Sequence, residues 1–322
     1  MRAALTAALS LAAFTAASAP QLGLPVDCEL GRTCYIQQYV DHDPKATATD
    51  FRCGNLSYDG HKGTDFSLPN IHVMNQGVSV LSAAPGIVAR LRDGIPDRIY
   101  SKANRTAVQG KECGNAVVVK HGNGWETQYC HMKLNSLRVS LGDRVERGTI
   151  LGQIGLSGKT QFPHLHLSVR HKGAIVDPFS PERPTQECRT PETNLWHAPM
   201  PYRAGALIEV GFTSALPRYE QVLSGQAGMA DFAPDSPALV LYGFAYGGQT
   251  GDVVRLEITG PDGPLGTHDV KLKKNQVRFY RAFGKRLKLS RWPAGNYTGQ
   301  VTILRNTQVL SRKSAVMTIP AD

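Results

Sequence analysis

The chemistry in this chain centres on Pro163-His164-Leu165-His166-Leu167-Ser168-Val169. Apolar residues alternate with His164, His166 and Ser168, the period-two pattern of a β-strand. Two imidazoles then share one face, and neutral imidazole is a common ligand of zinc-class ions. A strand bearing two surface histidines is the plainer alternative, so ligands elsewhere must decide. Tyr58-Asp59-Gly60-His61-Lys62-Gly63-Thr64-Asp65-Phe66 offers them. Its two glycines, with Pro69 just beyond, argue against a helix. In an extended chain His61 and Asp65, four residues apart, lie on one face. His61, Asp65 and His166 supply two imidazoles and a carboxylate with a fourth position open, the donor set of a catalytic zinc site. His131, closing Tyr129-Cys130-His131, and His164 are left as non-ligand imidazoles able to move protons and stabilise charge in amide hydrolysis.

The elements that must position these residues read as β throughout. Val78–Ala84 and Gly86–Leu91 are strand-like runs broken at Pro85-Gly86. Residues 92–112 form a polar loop of a length that is usually functional or mobile. Asn115–His121 and Trp125–His131 make a hairpin around Gly122-Asn123-Gly124. Residues 138–156 continue the pattern with turn glycines, and Gly155–Thr160 reads as the turn entering the histidine strand. It lacks the earlier glycine of a phosphate-binding loop. Six prolines crowd residues 178–201 as a linker. Beyond it, Ala206–Thr213, Ala238–Tyr246, Val253–Thr259, Gln276–Phe283, Asn296–Leu304 and Val309–Ile319 read as strands. The expected fold is all-β: a β-rich catalytic unit, open-sheet or barrel-like, over 54–180, and a smaller immunoglobulin-like sandwich over 204–322. Residues 20–53 pack on the first unit, and 181–203 join the two.

Residues 1–19 carry one charge, an apolar run and small residues up to Ala19, the signature of a secretory signal peptide. No other run approaches a membrane span. Six cysteines without a Cys-x-x-Cys spacing fit an exported, disulfide-bonded chain. The expected pairs are Cys28–Cys34, Cys113–Cys130 across the hairpin and, by elimination, Cys53–Cys188. Lys and Arg number 36 against 26 acids, and removing Arg2 with the signal leaves 35 − 26 = +9. Such charge draws an exported protein to polyanions, but no nucleic-acid-binding motif accompanies it. Lys271–Arg291 holds nine basic residues and no acid. It reads either as a solvated edge that blocks sheet aggregation or as a contact for an anionic wall polymer or lipid. His42, His72, His121, His171, His197 and His268 read as surface or turn residues. Gly-x-Ser-x-Gly and His-Glu-x-x-His are both absent, which excludes the commonest serine-hydrolase and helical zinc-protease patterns.

His61-x-x-x-Asp65, Tyr129-x-His131 and His164-x-His166 together resemble the signature of the M23 family of zinc metallopeptidases, the lysostaphin/LytM type. The supporting order matches from Gly60–Phe66 through Ala84–Val88 and Gly142–Gly148 to Ile150–Gly155, covering residues 54–180. The resemblance implies zinc (Zn2+) held by His61, Asp65 and His166, with His131 and His164 catalytic. It also implies cleavage of the peptide stems that cross-link peptidoglycan, in the periplasm or at the cell wall. None of the five positions is substituted, unlike relatives that lost ligands and act as activators. The cysteines, the 92–112 insertion and the C-terminal sandwich depart from the pattern. The rival expectation is a gated or catalytically idle zinc-containing wall-binding module; a third is a secreted lytic toxin.

Overall fold

The computed structural model describes residues 19–182, 191–228 and 232–321. The expected signal segment and Cys188, hence the Cys53–Cys188 pairing, lie outside these residues, apart from Ala19. Among the described residues no helix is long and apolar enough to cross a membrane.

The N-terminal half comprises β1 (Tyr35–Gln38), β2 (Thr64–Ser67), α1 (Ile71–Gln76), β3 (Ser79–Leu81), β4 (Gly86–Arg92), α2 (Arg105–Val108), β5 (Asn115–Gly122), β6 (Trp125–Met132), β7 (Arg144–Val145), β8 (Ile150–Gln153), β9 (His164–His171) and β10 (Ala174–Val176). Eight of these strands form one antiparallel sheet, ordered β1-β2-β9-β6-β5-β4-β7 with β10 also on β9; β3 and β8 pair separately. Leu165, Leu167 and Val169 of β9, Val117 and Val119 of β5, and Tyr129 of β6 share one buried face. Each such aliphatic side chain contributes about 1.5–3 kcal/mol of burial. The Tyr129 hydroxyl is satisfied inside, accepting from the Ala83 amide at 2.7 Å. That leaves the opposite face of β9 and β6 to carry polar groups.

The hairpin forms as read, with Asn123 and Gly124 at positive φ (48° and 81°) in its two-residue turn. Cys28–Cys34 and Cys113–Cys130 are both bonded. One expectation fails locally. His61 does not lie on a strand with Asp65: Gly60 takes φ 72°, the His61 amide closes a turn onto the Tyr58 carbonyl at 2.9 Å, and β2 starts only at Thr64.

Beyond residue 203, α3 (Tyr219–Ser224) accompanies β11 (Ala206–Thr213), β12 (Ala238–Gly248), β13 (Val253–Gly260), β14 (Gly263–Lys271), β15 (Gln276–Arg286), β16 (Gly295–Arg305) and β17 (Gln308–Ile319). They make sheets β11-β12-β15 and β14-β13-β16-β17 around a second core. β14 was not legible, since Gly, Pro, Thr, His and Asp leave it almost no apolar alternation. β12 is buried on both faces. Leu239, Leu241 and Ala245 enter the sandwich core, while Tyr242, Phe244 and Tyr246 join the core of the first sheet. Tyr246 stacks on Tyr35 of β1 at 4.7 Å. Part of the proline-rich stretch is also packed: Trp196 is buried, 5.2 Å from Phe179 and 5.9 Å from Phe66.

Candidate metal and catalytic centre

β2 and β9 pair so that Asp65 lies opposite His166 and Ser67 opposite His164. The turn before β2 swings His61 back over the same point. His61 Nε2 then lies 3.2 Å from Asp65 Oδ1 and 3.1 Å from His166 Nδ1, and His166 Nδ1 lies 2.8 Å from Asp65 Oδ1. A tetrahedral ion with ligands at about 2.0–2.1 Å needs donor atoms about 3.3 Å apart. The three atoms, all within 4.8 Å of one another, have that spacing, and the set fits a small divalent cation.

Each ring is aimed by its second nitrogen. His61 Nδ1 lies 2.6 Å from the Tyr39 carbonyl, which can only accept, so Nδ1 carries the hydrogen and Nε2 presents its lone pair. His166 Nε2 lies 3.1 Å from Ser168 Oγ, leaving Nδ1 for the cluster. Gly63 is required by space, because a Cβ there would sit 2.6 Å from His166 Nε2 and from the Leu167 carbonyl.

The non-ligand pair is brought in too. His131 ends the long run of β6 at φ 61°, a left-handed conformation unusual for a non-glycine and found at functional sites. Its ring centroid is 4.7 Å from His164 and 6.0 Å from His166. His131 Nδ1 donates to the Ser157 carbonyl at 2.8 Å, which leaves Nε2 unprotonated. His164 Nδ1 lies 3.0 Å from the Phe162 carbonyl and 3.1 Å from Thr160 Oγ1, and its Nε2 is 3.5 Å from Asp65 Oδ1.

Burial and charge divide these groups. Burial pushes His131 well below the ordinary histidine range, and neighbouring His164 and His166 push the same way. Burial also lowers His164, against the pull of Asp65. Both therefore stand neutral near pH 7, as proton acceptors. For His61 burial acts downward and is the largest single influence, but the Asp65 carboxylate, the Tyr39 carbonyl and Asp41 together outweigh it and the net shift is upward. Burial acts upward on Asp65, yet the charges of His61 and His164, with hydrogen bonds from His166 and His61, hold it well below the usual carboxylate range. Asp65 thus stays an anion in the interior.

All five residues singled out in the sequence converge. The residues that aim them, Tyr39, Ser157, Thr160 and Phe162, gave no signal, since three of them act through backbone carbonyls. The 92–112 loop is pinned beside the centre: the Arg98 and Tyr100 amides bond to the Leu156 and Thr160 carbonyls at 3.2 and 2.7 Å. The remaining histidines lie elsewhere. His42 is less exposed than expected and pairs with Asp177 at 2.7 Å, and His171 stacks on Trp125 at 4.4 Å.

Comparison with known proteins bears on this centre. Residues 59–178 match Peptidase family M23. The chain is 32% identical over 130 residues to the cell division protein DipM of Caulobacter vibrioides, 40% of this chain and 19% of that protein. It is 31% identical over 129 residues to the DD-carboxypeptidase/endopeptidase Mpg of Neisseria meningitidis serogroup B, 39% of this chain and 24% of that one. It is 32% identical over 117 residues to the peptidoglycan DD-endopeptidase ShyA of Vibrio cholerae, 36% and 22% respectively. The alignments span about a fifth to a quarter of those relatives.

Proposed function

Residues 59–178 are a Peptidase family M23 domain, and from that premise we propose that the protein is an exported zinc endopeptidase cutting peptide cross-links of peptidoglycan. The observation that carries the reading is the convergence of His61 Nε2, Asp65 Oδ1 and His166 Nδ1 at 2.8–3.2 Å. Relatives that include a peptidoglycan DD-endopeptidase support the substrate class.

In this reading His61, Asp65 and His166 hold zinc. When bound, the ion supplies Lewis-acid polarisation of the scissile carbonyl and acidifies water. His131, neutral with Nε2 unprotonated, accepts a proton from the attacking water and can return it to the leaving amine. His164, braced by Thr160 and Phe162 with its ring centroid 4.7 Å from that of His131, is the second non-ligand imidazole and helps to hold and pass that proton. The buried setting strengthens both interactions.

A second reading, a gated wall-binding module, has one observation in its favour. His61, Asp65, His131 and His164 are all buried, and only His166 is partly exposed. Purified sacculi separate the two. The enzyme releases soluble, uncross-linked muropeptides whose masses identify the bond, and a chelator abolishes release. Co-sedimentation without release, with zinc bound, contradicts the enzyme and supports the module.

A further inference from the structure

The sheet face that bears His166 continues well past the metal centre. Side chains alternate along a strand, so His166, Ser168 and Arg170 of β9 point the same way. Register places Gln128 of β6 beside Ser168 and Glu126 beside Arg170. On β5 Val118 follows Gln128, and on β4 Arg90 faces Val118 while Arg92 faces Ala116. Of this face, Arg90, Arg92, Glu126, Gln128 and Arg170 line a groove of about 550 Å³ with Ala116 and Val118 as its floor. Arg170 lies four residue steps along the strand from His166, about 13 Å at 3.3 Å per residue.

The groove is unevenly charged. Arg90, Arg92 and Arg170 face one carboxylate, Glu126, an excess of two positive charges. Glu126 is shared, 3.1 and 3.2 Å from Arg90 Nη2 and 3.5 Å from Arg170 Nη1. Arg92 donates its Nε–H to the Gly114 carbonyl at 2.7 Å, which fixes the guanidinium without neutralising it. The Arg90 side chain is 63% exposed, so leaving an exposed ion pair for a ligand costs little.

We propose that this groove is a subsite for a carboxylate of the substrate, on an acidic peptide that lies across the sheet with its scissile bond at His166. An extended peptide covers 13 Å in about four residues, so the recognised carboxylate lies three to five residues from the bond cut. Guanidinium forks match carboxylates bidentately, and an apolar floor strengthens the pairing. The subsite's alignment with the reacting bond rests on the peptidase reading; its affinity for carboxylates does not.

Two cross-linked stem-peptide dimers, one with free and one with amidated side carboxylates, test it. Binding is measured calorimetrically to zinc-free protein, and kcat/KM with zinc restored. Zinc-free wild type binds the free form at least about tenfold tighter, and Arg170→Gln and Arg90→Gln each bring that ratio towards one while remaining folded by circular dichroism. Arg92→Gln does the same, a third independent check. Equal binding of both dimers by wild type, or equal losses on both dimers in the variants, overturns the subsite. Tighter binding of the free form without hydrolysis of either dimer upholds the subsite and contradicts the peptidase reading alone.

Discussion

The two basic regions of the molecule differ in what their charges face. In the groove on the first sheet, Arg90, Arg92 and Arg170 converge over one cavity. Along 271–291, Lys271, Lys273, Lys274, Lys285, Arg286 and Lys288 are exposed on an edge strand and its flanking loops, and nothing gathers them. Charge that converges on a shared point can bind a particular group; charge that diverges into solvent acts mainly through its field, screened over about 8–10 Å. One residue of the second region breaks the pattern. Arg278 turns inward, donating to the Leu68 carbonyl at 2.9 Å and to Tyr35 Oη. Its guanidinium lies 4.6 Å from the Phe162 ring and 5.2 Å from Phe244. Its Nε and Nη1 are buried without hydrogen-bond acceptors among the described residues, so the aromatic faces compensate the charge. Phe162 in turn contacts His164 at 4.5 Å. The second unit thus braces the first sheet where β2 and β9 carry Asp65, His164 and His166.

The comparison predicts a descending series. Asp65→Ala removes the anion of the cluster and takes sacculus hydrolysis to background with loss of bound metal, checked by elemental analysis. Gly63→Ala forces a Cβ into His166 and a backbone carbonyl, so metal affinity falls and the thermal midpoint drops. His131→Ala keeps the metal and lowers kcat by about 10²–10⁴-fold, the usual range for a lost acid-base group. Arg278→Met lowers kcat by about tenfold through a displaced His164; unchanged kcat confines Arg278 to packing. Lys273→Ser with Lys274→Ser leaves turnover unchanged and reduces sacculus co-sedimentation by less than about threefold, an effect erased by salt. A larger effect makes the edge a specific contact.

Legibility in the sequence followed the range of the interaction. The period-two pattern of β9, the Gly-Asn-Gly turn and the short Cys28–Cys34 loop are local, and each formed as read. The five residues singled out in the sequence come together through the pairing of β2 with β9, the turn at Gly60 and the end of β6. The same-strand placement of His61 failed because Gly60 permits a left-handed turn that an extended reading ignores. The carbonyls of Tyr39, Ser157 and Phe162 aim the rings through groups that every residue carries, so no side chain announces them. The left-handed His131 and the inward turn of Arg278, which contacts residues over 200 positions away, exist only once the sheets have packed.

The central claim is that His61, Asp65 and His166 hold one zinc ion on which hydrolysis depends. Elemental analysis of purified wild type beside His166→Ala, with muropeptide release measured on the same samples, tests it most directly. The expected result is one zinc per chain and hydrolysis in wild type, and neither in the variant. Zinc retained at full stoichiometry in His166→Ala, or undiminished cleavage by the metal-free variant, would contradict it.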